Sequence, residues 1–302
     1  MVELEILEAL DGLQWLRSGE EVAKRFGFSQ PTVSRSCRKA LEVFHLEMER
    51  RDGEWELVGD PCFLRLEREV HQMARWLQHR PLRLEATYWS APTLCRDLPG
   101  SYMLGLSNIV GVKRNFQLLS ERIVDFWIAG LPDLPTAHEP DLTAVVLSRM
   151  PVFFTCAPDH PLVGQDAISY DDIAAYPTLA LRQGDYPAVE RALKAVNLWS
   201  DGTRMTRYRR DRWEGRSESD LVIGYGTPLS MHVAGGNLVR LPLQLPFDSG
   251  DALVFRKEYA LHPRVNELID HLVAQLKQLA QVIPEIEITS PRQQPHTYAI
   301  NE

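Results

Sequence analysis

The chain has 302 residues, 44% of them hydrophobic and 25% charged, with a formal net charge of −8. That length predicts two or three compact units of ordinary globular composition. The acidic total excludes a protein coated by nucleic acid along its whole length, though the local distribution of charge matters more than the sum. No run approaches the roughly eighteen uninterrupted apolar residues of a membrane helix. The start, Met1–Glu8, is acidic and amphipathic and lacks the basic end and apolar run of a secretory signal, so a cytoplasmic protein with no membrane partner is expected. Cys37, Cys62, Cys95 and Cys156 lack CxxC spacing and predict reduced, mostly buried thiols, with no metal or cofactor.

Leu4–Leu16 carries Leu4, Ile6, Leu7, Leu10, Leu13 and Leu16 at three- and four-residue spacings, the pattern of an amphipathic helix. Glu20–Phe26 predicts a second, short helix that Gly27 stops. Ser29 suits the N-cap of a third, with Pro31 in its first turn and Val33, Cys37, Ala40, Leu41 and Phe44 on one face. Two alternating runs then flank Asp52-Gly53, a strong hairpin signal. Three helices and a hairpin predict a winged helix-turn-helix over residues 1–60. Between Val22 and Arg51 seven basic residues (Lys24, Arg25, Arg35, Arg38, Lys39, Arg50, Arg51) face three acidic ones, a local balance of +4. The outward side of the third helix would present Gln30, Pro31, Thr32, Ser34, Arg35 and Arg38. Gln pairs with adenine, Arg with guanine, and Pro or Thr can touch a thymine methyl. Lys24, Arg25, Lys39, Arg50 and Arg51 are placed for phosphates.

Phe63–His79 predicts another helix, within a linker at 61–80. Its apolar stripe exceeds what the small domain before it can bury, so pairing with a second copy is expected. Strands and helices alternate after Leu82, which predicts α/β units with parallel sheets. Strands are expected from Leu82, from Tyr102, and at Leu142–Leu147, Val152–Cys156, Thr178–Leu181, Leu221–Tyr225, Leu238–Leu241 and Ala252–Phe255. Helices are expected at Asn108–Ile128, Tyr186–Val196 and Pro263–Leu279. A polar tail over 285–302 is expected to be flexible.

The run Gly27-Phe28-Ser29-Gln30-Pro31-Thr32-Val33-Ser34-Arg35 resembles the signature of LysR-type transcriptional regulators, with Thr32 where that family usually has Ala. The resemblance implies that Gln30, Pro31, Ser34 and Arg35 enter the major groove. The segment 43–59 departs from the family pattern, and Arg50 or Arg51 is the counterpart of its wing arginine. Val145–Leu162, ending in Ala157-Pro158-Asp159-His160-Pro161-Leu162, is similar to the family's crossing between lobes. Ile168–Leu179 and Arg122–Gly130, with Asp125, also look like family segments.

The implied fold is an effector domain over 81–284 of two lobes, 81–157 with 256–284 and 158–255, like type 2 periplasmic binding proteins. The implied partners are double-stranded operator DNA, a small-molecule effector and a second or further copies, as a homodimer or homotetramer. Positions matching the family's cleft are Thr87, Tyr88, Trp89, Ser90, Thr93, Ser107, Asn108, Tyr225 and Thr227. Their hydroxyls and the helix starts nearby suit an anionic ligand. Arginines at 204, 207, 209, 210, 212 and 216 could add an anion-receiving rim, or form a solvated edge balanced by Asp211, Glu214 and Glu218. Phosphate-loop spacing is absent, and no catalytic set has a local signature, so no enzyme is expected. The competing expectation is a small-ligand receptor whose N-terminal unit contacts proteins instead of DNA.

Overall fold

The structure, a computed structural model, describes residues 3–78, 80–199, 202–219 and 221–289. The chain begins with α1 (Leu4–Leu16), α2 (Gly19–Phe26) and α3 (Gln30–Phe44), followed by β1 (Glu47–Arg51) and β2 (Glu54–Val58). Ser18 and Ser29 cap α2 and α3 by accepting from Glu20 N and Thr32 N, each at 3.2 Å. The hairpin closes with Arg51 opposite Glu54, leaving Asp52 and Gly53 as its two turn residues. Both are left-handed, at φ 49° and 81°, as a type I′ turn requires. Gly12 sets the approach of α1 to α2: a Cβ there would lie 3.0 Å from Val22 Cγ1.

Next come α4 (Cys62–Leu77), β3 (Leu82–Ala86), α5 (Ala91–Leu94), β4 (Tyr102–Leu104), α6 (Val112–Ser120), β5 (Phe126–Gly130), β6 (Leu142–Val146) and β7 (Ser148–Cys156). They are followed by α7 (Tyr170–Ala174), β8 (Ala180–Leu181), α8 (Pro187–Ala195), β9 (Gly202–Thr203), α9 (Glu214–Ser219), β10 (Gly224–Gly226) and α10 (Pro228–Ala234). The last are β11 (Val239–Ser249), β12 (Asp251–Arg256), α11 (Pro263–Leu279) and β13 (Glu287–Ile288).

One sheet has the order β4-β3-β5-β12-β6, and a second has β10-β7-β11 with β13 also on β7. The α/β fold with two lobes behind a winged helix-turn-helix is therefore present, with three adjustments. The stretch Asn108–Ile128, expected as one helix, is α6 followed by the start of β5. All five residues of β5 are buried, so its continuous apolar run lacks the alternation that marks a half-exposed strand. The second sheet pairs antiparallel, not parallel, and in the first only β3, β4 and β5 are parallel, since β12 runs back against both β5 and β6. The lobe boundary also moves. Residues 148–156, expected in the first lobe, form the second sheet, and 251–255, expected in the second, lie inside the first. At the C-terminus, residues 287–288 pair with Arg149 and Ser148 over a buried Ile286, and the rest of the expected tail, from 290, lies outside the described residues.

The first lobe's core gathers Leu84, Phe126, Leu253, Phe255, Leu268 and Leu272, and includes Trp76 from α4. The second packs Phe154, Ile173, Leu193 and Ile223. A further cluster joins Trp15, Leu16, Val22, Val33 and Cys37 to Ile109, Phe116, Leu119 and Trp127. The N-terminal unit thus rests directly on the first lobe. Among the described residues, no helix is long and apolar enough to cross a membrane, and no group of His, Cys, Asp or Glu is arranged to hold a metal ion.

Candidate nucleic-acid interface and ligand cleft

The outward side of α3 is open. Gln30, Pro31, Ser34, Arg35 and Arg38 are exposed, while Val33, Cys37, Ala40 and Phe44 are buried beneath them. Thr32 is half-buried; its hydroxyl meets Ser29 Oγ at 2.8 Å and accepts from Arg35 Nη2 at 3.3 Å. Lys24, Arg50 and Arg51 are exposed too. Arg50 lies over the Trp55 ring, and Arg51 pairs with Glu49 at 3.0 Å. Arg25 turns inward instead, donating to Leu104 O across the domain contact.

That contact is polar at its centre. Asp11 of α1, 1% exposed, meets Arg68 at 2.9 Å and Arg83 at 3.3 Å. Trp15 Nε1 donates to Glu85 Oε2 at 2.5 Å. Beside the hairpin, Glu54 accepts from Arg207 Nη2 at 2.8 Å and lies within 3.4 Å of Arg17 and 3.7 Å of Arg114. Three guanidiniums therefore close on one wing carboxylate.

The linker helix α4 is inverted relative to a simple amphipathic helix. Glu67, Arg68, His71, Gln72, Arg75 and Trp76 face inward. Arg75 forks onto Asp125 with two 3.0 Å bonds, and Trp76 stacks on Tyr259 at 4.2 Å. Phe63, Leu66, Val70, Met73 and Leu77 face out, all about half-exposed or more.

Between the two sheets lies a cavity of about 120 Å³. Of the residues singled out in the sequence, Thr87, Tyr88, Trp89, Tyr225 and Thr227 line it. Ser90, Thr93, Ser107 and Asn108 do not. Ser90 Oγ donates to Asp251 at 2.5 Å, and Thr93 Oγ1 donates to Trp89 O at 2.7 Å. Ser107 is buried and its hydroxyl has no hydrogen-bond partner among the described residues, and Asn108 Oδ1 accepts from Arg207 at 3.0 Å. These four lie outside the cavity lining. Sequence reasoning missed Ile109, Tyr186, Met205, Tyr208 and Trp213, which also line the space. Gly130 is required here, because a Cβ would sit 2.9 Å from Trp89 Cζ2.

No lysine or arginine is among the lining residues. The arginine-rich stretch is spent on other partners: Arg207 on Glu54, Arg209 on Asp211, Arg210 on Glu218, Arg212 on Arg204 O, and Arg216 on Thr203 Oγ1. Burial pushes the Asp251 carboxyl up, with Ser90 and Ser148 donating against that shift. Burial also pushes the Tyr88 and Tyr208 hydroxyls up, and the neighbouring Glu214 carboxylate adds to it, so both remain protonated donors.

Residues 110–204 match the family model described as the LysR substrate binding domain. Full-length OxyR from Pseudomonas aeruginosa superposes with a TM-score of 0.59 at 18% identity, covering 98% of this chain and 99% of that one. An OxyR mutant from Corynebacterium glutamicum gives 0.55 at 13% identity over 93% and 94%. Full-length CbnR, solved with its target DNA, gives 0.53 at 14% identity over 91% and 100%. No curated protein sequence matches. The fold of these full-length proteins thus runs through nearly the whole chain, helices and hairpin included, and the cavity sits between the two lobes.

Proposed function

We propose that the protein is a sequence-specific, cytoplasmic transcriptional regulator of LysR type whose DNA affinity answers to a small molecule held between its lobes. The observation that carries this reading is the free outer face of α3, where Gln30, Pro31, Ser34, Arg35 and Arg38 stand exposed over a buried apolar face. Side chains of those types at those positions can read base edges in a major groove. Lys24, Arg50 and Arg51 would neutralise phosphates, and Thr32 would position Arg35. The similarity in fold to a protein solved on its target DNA supports the same reading.

Two copies are needed, since one helix contacts only a half-site. The outward stripe of α4, at positions 63, 66, 70, 73 and 77, alternates spacings of three and four as a coiled-coil seam does. We assign it as the dimer contact, with a tetramer as a pair of such dimers. No catalytic role follows from this arrangement.

Selection of bound genomic fragments with wild-type protein, followed by binding titrations of Arg35→Ala, tests the assignment. Arg35→Ala is expected to lose about 1–3 kcal/mol on the selected fragment and little on random DNA. Wild-type affinity should fall steeply as salt rises. Equal, weak binding of all fragments by both proteins, with a shallow salt slope, would favour a receptor whose N-terminal unit contacts proteins.

A further inference from the structure

The cleft contains two adjoining chambers, and their chemistry differs. They share walls formed by Tyr88, Trp213, Tyr225, Gly226 and Ser230. The larger, about 120 Å³, is aromatic and aliphatic, and its serine and threonine hydroxyls are already engaged. Thr87 bonds Ser90, Thr227 and Ser230 cap α10 reciprocally, and Ser249 donates to Leu131 O.

The smaller chamber, about 90 Å³, is polar. Glu214 lines it at 6% exposure, accepting from Tyr88 Oη at 3.1 Å on one oxygen and Tyr208 Oη at 2.7 Å on the other. Each carboxylate oxygen has a second lone pair, so another donor can be received. Ser217 lines the same chamber at 1% exposure, and its Oγ has no hydrogen-bond partner among the described residues. That hydroxyl occupies the space a side chain at Gly224 would need, 2.7 Å from its Cβ position.

Neither chamber is lined by lysine or arginine. A second buried carboxylate, Asp251, lies behind Ser90 and Ser148. A carboxylate ligand would be stripped of water here with no cation to receive it. An ammonium group would meet a carboxylate, an unpaired hydroxyl and electron-rich ring faces.

We infer that the ligand of this cleft is a small amine, its apolar, ring-bearing body in the larger chamber and its protonated nitrogen donating to Glu214 and Ser217 in the smaller. The inference rests on the cleft being the effector site, and it replaces the anionic ligand that the sequence resemblance suggests.

Calorimetric titration of the full-length protein with phenethylamine, phenethyl alcohol and phenylpropionate tests it. Phenethylamine is expected to bind at least about tenfold more tightly than the alcohol, a typical worth for a charge-assisted contact, and the acid is not expected to bind. Glu214→Gln should remove the amine's advantage while leaving the alcohol unchanged. Ser217→Ala, which breaks no side-chain pair, should weaken the amine several-fold should Glu214→Gln fail to fold. Val110→Trp fills the larger chamber and should abolish binding of the amine and the alcohol. Tightest binding by the acid, lost in Val110→Trp, would overturn the amine and keep the cleft. Amine binding that survives Val110→Trp would overturn the cleft as its site. Binding by none of the three overturns the amine assignment, whereas DNA binding by the Arg35 test stands or falls separately.

Discussion

Single buried charges hold the N-terminal unit in place. Asp11 receives two guanidiniums, Arg68 from α4 and Arg83 from β3, all three nearly without solvent contact. Removing the carboxylate leaves buried Arg83 without an ion-pair partner and Arg68 with Glu121 alone, so Asp11→Ala is expected to destabilise the protein by about 3–5 kcal/mol in urea unfolding. Arg68→Met should cost less, because Arg83 still partners Asp11. Glu85 gives a different signature. It lies inside β3 and accepts from Trp15 Nε1 at 2.5 Å and Ser107 N at 2.6 Å. Burial raises its carboxyl above the usual range, and the Trp15 bond pulls back only in part. A carboxyl whose folded value lies above its unfolded one binds its proton more tightly when folded, so it adds stability as pH falls through the folded value. Wild type should therefore gain on Glu85→Gln as pH falls from neutrality toward the ordinary carboxylate range in paired urea titrations, and a loss would contradict the assignment. None of these roles was visible in the sequence. Asp11 and Glu85 sit among apolar neighbours at positions that read as solvent-facing, and their side-chain partners Arg68, Arg83 and Trp15 lie 57 to 72 residues away.

Elements were more legible than their surroundings. The caps Ser18 and Ser29, the turn at Asp52-Gly53 and the periodicity of α1, α3, α4 and α11 are local signals, and the structure places helices and hairpin there. Where burial is two-sided the local signal fails, which is why β5 was merged with α6. Helix α4 illustrates a subtler limit. Its period marks an apolar stripe, but not that Arg68, Gln72 and Arg75 would be the buried side and the stripe the open one. Such an inversion is stable because Asp11 and Asp125 wait opposite those arginines. It also exposes five apolar side chains in one line, and a second copy laying its own line against them would bury both. Leu66→Glu with Met73→Glu should therefore convert a dimer to a monomer by light scattering at micromolar concentration while leaving thermal unfolding of the monomer cooperative. A variant that stays dimeric would place the contact elsewhere.

At the scale of the whole molecule the hairpin and the cleft share a wall. Tyr208 lines the cavity and stacks on Tyr88 with ring centroids 3.4 Å apart. Its neighbour Arg207 pairs across the backbone with Ile109, another lining residue, and reaches outward to Glu54 at the start of β2. Cleft, strand bridge and wing are thus three consecutive contacts, spanning 153 residues of sequence between Glu54 and Arg207. Distances of that kind explain why the arginine-rich stretch could be noticed in the sequence but not given a partner. The chain of contacts predicts that a ligand shifting Tyr208 also shifts the hairpin that carries Arg50 and Arg51. Arg207→Ala removes the middle link: Glu54 keeps Arg17 and Arg114, so the fold should survive, but the hairpin loses its bidentate tie. Hydrogen exchange over residues 47–58 should rise in Arg207→Ala without ligand. With Arg207 intact, filling the cavity through Val110→Trp should change exchange at the same amides, and in the Arg207→Ala, Val110→Trp double variant that response should vanish. An undiminished response in the double variant would mean that the wing feels the cleft by another route, through the Trp15–Glu85 contact or through α4.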